Sequence, residues 1–119
     1  MYKILLKSKI HRVKITDANL EYEGSISIDE ELMDKADILP YEKVNIWDIN
    51  NGNRFETYAI PSTKHSGDII VNGAASRMVQ VNDIIIIATF GFYDEKELNG
   101  FKPTLVYVDE KNHISDVVK

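Results

Sequence analysis

Tyr22-Glu23-Gly24-Ser25 is where residue types and spacing first suggest chemistry. A serine directly after a glycine can turn its hydroxyl back on the preceding carbonyl. Glycine, with no β-carbon, permits the strained backbone this requires. Attack by Ser25 Oγ on the Gly24 carbonyl would convert the amide to an ester. β-Elimination would then leave a dehydroalanine, and hydrolysis a pyruvoyl group at residue 25. A donor near the attacked carbonyl must stabilise the oxyanion. The same dipeptide is ordinary turn chemistry at the start of a strand, so on its own it leaves both readings open.

Such a serine needs a rigid frame, and the pattern around it is mainly short strands. Ile4, Leu6 and Ile10, then His11, Val13 and Ile15, alternate with polar neighbours at the period of a half-buried strand. Ser25–Ile28 is a second alternating piece. Asp29 reads as a helix N-cap, with Glu30 and Glu31 in the first turn and Leu32, Met33 and Ala36 on one face; Pro40 lies beyond the helix end. Val44–Ile49 and Arg54–Ile60 read as strands joined at Asn51-Gly52, a type I′ hairpin signal, with Pro61 closing the second. Residues 62–67 are loop, Ile69–Val71 strand and Asn72-Gly73 a turn. Ala74–Met78 is one helical turn, and Ile84–Phe90 and Thr104–Val108 are strands. The polar tail after Asp109 is expected to be partly mobile. A weak echo links ILPYEKVNI (38–46) to MVQVNDIIII (78–87). In each, an acid (Glu42, Asp83) precedes strand residues, which suggests two related halves of a small closed barrel.

The 119 residues make one domain, large enough for a real core. The longest apolar run, Ile84–Ala88, is far short of the roughly 18 residues of a membrane span. The N-terminus is too rich in Lys and Arg for a secretory signal. No cysteine is present, which excludes disulfides and thiolate metal sites; a cytoplasmic location is the expectation. A net charge of −5 argues against a nucleic-acid surface. Lys3, Lys7, Lys9, Arg12 and Lys14 nonetheless cluster, either as a solvated strand face or as a local anion site. The three histidines have no metal spacing, and there is no phosphate loop or dinucleotide fingerprint. Neither a metal nor a dissociable cofactor is expected.

KIHRVKIT (Lys9–Thr16), DANLEYEGS (17–25), NIWDINNGNRFETYAI (45–60) and VNGAAS (71–76), in this order and spacing, resemble bacterial pyruvoyl-dependent aspartate 1-decarboxylases. The final dozen residues carry no feature of that family. The resemblance implies a six-stranded double-psi β-barrel with short helices, self-cleaved between Gly24 and Ser25 into chains 1–24 and 25–119. It implies a pyruvoyl cofactor derived from Ser25, which would hold the amine of L-aspartate as a Schiff base and take up electrons as CO₂ leaves. The product would be β-alanine, for pantothenate and coenzyme A synthesis. Tyr58 matches the proton donor to the carbanion, and Thr57 a residue that assists cleavage at Gly24 and contacts substrate. Arg54 matches the clamp on a substrate carboxylate, where a planar fork of donors fits. Asn72, Gly73, Ala74 and Ala75 match a loop whose backbone approaches the substrate. Lys9 matches a substrate-binding base, and His11, Tyr22, Trp47 and Ile86 the site's wall. The family is a homotetramer with sites at subunit interfaces. Whether maturation needs a helper protein stays open.

Independently of the family, Arg54 and Tyr58 lie four residues apart on one expected strand. They share a face but stand roughly 13 Å apart at about 3.3 Å per residue. One aspartate is too short to span them, so either the strand bends sharply or the two serve different copies of a shared site. The expectation is an oligomer in which Arg54 and Lys9 of one chain meet Ser25 and Tyr58 of the next. The competing readings are a non-catalytic small-molecule-binding barrel, an unprocessed proenzyme and, against the charge, a nucleic-acid-binding barrel.

Overall fold

The computed structural model describes residues 1–119. Its strands are β1 (Tyr2–Lys14), β2 (Asp17–Asn19), β3 (Ser25–Asp29), β4 (Lys43–Asp48), β5 (Arg54–Ser62), β6 (Ile69–Asn72), β7 (Ile84–Asp94), β8 (Thr104–Val108) and β9 (Ile114–Val118). One α-helix, α1 (Glu30–Lys35), follows β3, and 3₁₀ turns occupy Gly73–Met78 and Glu95–Glu97. No helix is long and apolar enough to cross a membrane.

The strands hydrogen-bond in the order β2-β6-β3-β5-β4-β7-β1-β8-β9. The architecture is mainly β and consistent with a double-psi barrel, but it has nine strands rather than six, and the ladder is not closed edge to edge. The body is nevertheless continuous around its circumference. Lys14 pairs with Ile84 of β7, and three residues later Asp17 pairs with Ile70 of β6. The chain that forms one end of the seven-strand run thus also forms its other end. β8 adds to β1 in parallel, and β9 adds outside β8. Ile10, Val13 and Ile15 of the first segment join Ile26, Ile28, Val44, Ile46, Ile69, Val71, Ile85 and Ile87 in one buried cluster. The alternation of branched apolar residues with polar ones sends one face of each strand into this core.

The weak sequence echo becomes an internal repeat. Tyr41 N–H donates to Ala59 O at 2.7 Å while Ala59 N–H donates to Glu42 O at 2.9 Å. Asn82 N–H donates to Ile15 O at 2.8 Å while Ile15 N–H donates to Asp83 O at 2.9 Å. Each acid also accepts a backbone N–H three residues upstream, from Leu39 to Glu42 and from Gln80 to Asp83. Tyr41 and Asn82 both have positive φ, 70° and 79°. β4 and β7 lie side by side and antiparallel, with Ile46 opposite Ile87.

Asp29 caps α1 as expected, accepting from Glu31 N–H at 2.9 Å. Four local expectations change. Only Gly52 in the 49–53 connection has positive φ, so the tip is not a type I′ turn. Instead Asp48 Oδ1 accepts from Asn50 and Asn51 N–H and builds a longer loop. Pro61 does not end β5, because beyond Ala59, whose N–H and C=O bond to Glu42 and Tyr41, the strand continues beside β3 alone, where an edge position tolerates the missing N–H. β7 runs four residues past Phe90, paired with β1 as far as Tyr2↔Asp94. The tail is not loose. β9 pairs with β8, and the buried Asn112 joins Lys14 and Gly67 through three hydrogen bonds of 2.8–2.9 Å.

Candidate active site

Ser25 opens β3 opposite Asn72, the last residue of β6, and both are buried. Ile26 and Ile28 turn into the core, so Ser25 and Ser27 share the other face of β3. Asn72 reaches both. Its Nδ2 donates to Ser25 Oγ at 3.0 Å and to Ser27 Oγ at 3.1 Å. The Ser25 hydroxyl lies 3.5 Å from the Glu23 carbonyl, at the limit of hydrogen-bond reach. Asn72 Oδ1 is buried with no partner, an uncommon and costly state for a protein acceptor.

β3 runs parallel to β5 with Ile26 beside Ala59, which sets Tyr58 next to Ser25. The two, with Glu21, Tyr22, Glu23, Ile60 and Asn72, line an open cleft of about 430 Å³. Its charged residues are the carboxylates Glu21 and Glu23, and no cation lines it.

The need for glycine lies elsewhere than expected. Gly24 does not have positive φ, and a β-carbon there would meet nothing within 4 Å. Gly73 has φ +72°, and a β-carbon on it would stand 2.7 Å from Gly24 Cα and 2.8 Å from Gly24 N. Gly73 therefore leaves room for the Gly24 Cα and N, directly before the Gly24-Ser25 peptide.

Arg54 lies on another part of the surface. Its guanidinium carbon sits 4.4 Å from the centre of the Trp47 ring, its cross-strand neighbour. Both line a second groove of about 260 Å³ with Asn45, Phe55, Glu56 and Phe90. Ile86 is the partner of Trp47 on β7, and Lys9 of β1 is opposite Ala88, two residues along that strand. Arg54, Trp47, Ile86 and Lys9 thus belong to one outward sheet region. Neither cation forms an ion pair within the chain; the acid nearest Arg54 in sequence, Glu56, pairs with Lys43 at 2.8 Å. His11 rests edge-on against Tyr107 at 5.7 Å, and its Nδ1 is buried without a partner. Burial lowers its pKa, and the charges of Lys9 and Arg12 lower it further.

Of the sequence candidates, Ser25, Tyr58, Asn72 and Tyr22 come together at one cleft, and Gly73 packs against Gly24 beside it. Arg54 and Trp47 come together at the other. Thr57 neighbours Tyr58 but points to the opposite side of β5 and is not part of the Ser25 cleft. Ala74 and Ala75 lie in the 3₁₀ turn after Gly73, outside the cleft lining. Ser27 was not singled out from sequence, since a polar residue between two isoleucines reads as solvent-facing strand. Glu21 and Glu23 lie in a stretch without periodicity and gave no signal.

The family model for aspartate decarboxylase matches residues 1–115. A Syntrophus aciditrophicus protein named aspartate 1-decarboxylase is 57% identical over 114 residues, 96% of this chain and 98% of its own. A Clostridium botulinum (strain 657 / Type Ba4) protein of the same name is 61% identical over 110 residues, 92% and 87% of the two chains. One from Sulfurihydrogenibium sp. is 52% identical over 113 residues, 95% and 84% of the two. With nearly its whole length matched in this way, the chain belongs to the aspartate decarboxylase family.

Proposed function

We propose that this protein decarboxylates L-aspartate to β-alanine with a pyruvoyl group made from its own Ser25, supplying pantothenate and coenzyme A synthesis in the cytoplasm. The observation that carries the reading is the Ser25–Asn72 pair. A buried serine hydroxyl is held by an amide donor, one residue from a glycine whose backbone is closely approached by Gly73.

Maturation would begin with Ser25 Oγ attacking the Gly24 carbonyl carbon. The C–N bond breaks, an ester forms and the residue 25 nitrogen becomes a free amine. Loss of the Ser25 α-proton then breaks the Cβ–Oγ bond, leaving Gly24 as a carboxylate and residue 25 as dehydroalanine. Water hydrolyses the derived imine, ammonia departs and a pyruvoyl group remains. The cleft suits such a group, because Asn72 presents a buried donor and an unsatisfied acceptor at residue 25. Once formed, the group supplies an electrophile for the substrate amine and a sink for the electron pair released with CO₂. Tyr58, on the wall of the same cleft, would deliver the proton to the substrate carbon.

A dicarboxylate needs a cation, and the Ser25 cleft of one chain has only Glu21 and Glu23. The free cations Arg54 and Lys9 face outward from another region. The reading therefore assembles each site from two subunits of a homotetramer, Ser25 and Tyr58 from one and Arg54 and Lys9 from its neighbour. Trp47 would hold Arg54 flat for a bidentate grip on the carboxylate.

Intact mass under denaturing conditions, followed by incubation with L-aspartate, tests this. Fragments 1–24 and 25–119, the second beginning with pyruvoyl in place of serine, and formation of β-alanine are expected. A single unmodified chain after prolonged warming would favour a non-catalytic binding barrel.

A further inference from the structure

Ser27 makes only one hydrogen bond through its side chain, and that bond is to the amide that holds the reactive serine. An asparagine amide carries two N–H donors on one nitrogen and none on its oxygen. With a single partner at Ser25, the amide could turn over about Cβ–Cγ and present Oδ1 to the hydroxyl instead. The hydroxyl would then donate to the amide rather than accept from it. A second contact at Ser27 Oγ opposes that rotation, because both hydrogen bonds must be given up together before either can re-form. Ser25 Oγ at 3.0 Å and Ser27 Oγ at 3.1 Å take both N–H groups of Asn72, and turning the amide would break two bonds to gain two others of opposite sense.

We infer that Ser27 is a positioning residue for self-processing, fixing the Asn72 amide so that its nitrogen holds Ser25 Oγ for attack on Gly24. The inference rests on the proposed cleavage at Gly24-Ser25. Ser27 touches none of the reacting atoms and acts through Asn72 alone.

The test compares cleavage rates of the full-length parent, Ser27→Ala and Ser27→Thr, each produced as precursor and followed by intact mass, with thermal melts alongside. Ser27→Ala removes the acceptor and leaves β3 and its core face intact. Ser27→Thr restores the hydroxyl on a residue that suits strands. A parent that cleaves, an alanine variant at least tenfold slower with a parental melt, and a threonine variant within about threefold of parent would support the inference; a tenfold change corresponds to the ~1.4 kcal/mol of one hydrogen bond. An alanine variant as fast as parent overturns it while leaving the cleavage reading intact. Equal slowing in alanine and threonine would assign the effect to shape and also overturn it. A parent that stays whole overturns the cleavage reading, and this inference with it.

Discussion

Gly73 and Gly24 meet backbone to backbone: a β-carbon on Gly73 would stand 2.7 Å from Gly24 Cα, with Tyr22 O a further 3.1 Å contact. Neither neighbour is a flexible side-chain end that could move aside. Gly73→Ala must therefore displace the Tyr22–Gly24 segment or leave its own left-handed conformation at φ +72°. We expect about 1–3 kcal/mol of lost stability. Cleavage should slow by more than tenfold, because the Gly24 carbonyl shifts relative to Ser25 Oγ. Urea unfolding and timed intact-mass measurements read the two effects separately. Parental cleavage in Gly73→Ala would show that the contact does not position the peptide.

Arg54 and Tyr58 open on different clefts, so their functions should be separable by mixing chains. Arg54→Ala and Tyr58→Phe are each expected to lose nearly all decarboxylation after maturation. Co-assembled from equal amounts, they should regain activity at about a quarter of the sites, as random pairing across a shared interface requires. No recovery in verified mixed oligomers would return both residues to one chain's site.

Arg54→Lys tests the stacking on Trp47. Lysine keeps the charge but not the planar fork. KM for aspartate should rise about tenfold or more with kcat changed less, since the lost contact binds a carboxylate that does not react. A fall in kcat alone would contradict a clamping role.

Half-buried His11 and buried Asp48 give pH effects of opposite sign. The pKa of His11 lies below its ordinary 6.5, first through burial and then through Lys9 and Arg12. The unfolded chain therefore binds this proton more readily, so the contribution to stability is fully present above about pH 6.5 and is lost as pH falls through the lowered value. His11→Gln should flatten that part of the stability profile. The Asp48 carboxyl is raised above 3.8, first by burial and then by the neighbouring Asp83 carboxyl, and its Oδ2 is buried without a hydrogen-bond partner. Its contribution is present below about pH 3.8 and is lost as pH rises through the raised value. Asp48→Asn keeps the Oδ1 acceptor for Asn50 and Asn51 and gives Asp83 a neutral donor. It should stabilise the protein at neutral pH by about 1 kcal/mol, the size of one hydrogen bond. Urea titrations between about pH 4 and 8 would show both slopes.

Asn112 ties the C-terminal turn to β1 and to the 62–67 loop. Asn112→Ala would leave Lys14 N–H and two carbonyls without their partner, in a site only 2% exposed. A loss of about 2–4 kcal/mol is expected, with catalysis per folded molecule unchanged.

The sequence marked most strands because residues such as Val44, Ile46, Ile85 and Ile87 alternate cleanly with polar ones. Asp29 was readable as a cap because its partner in that role, Glu31 N–H, is local. β9 was missed because Ile114, Val117 and Val118 are spaced by polar residues and gain meaning only beside β8. The hairpin tip was misassigned because Asp48, outside the Asn-Gly pair, shapes it. At the site, Ser25 and Tyr58 could be picked out by resemblance. The place of Gly73 and the link from Ser27 to Asn72 could not, because both depend on which strands β6 lies beside, and local pattern carries no such information.

The two related halves differ in how firmly their connecting loops are held. In the second half, Asp29 accepts from His65 and Gly67 N–H and fastens the loop before β6 from inside. In the first half, residues 20–24, before β3, are all exposed. One repeated frame thus supplies both an anchored loop and an exposed one. A break after Gly24, as proposed, would cut the chain outside every hydrogen-bonded strand, so two pieces would keep all the strand pairing that holds them as one folded body.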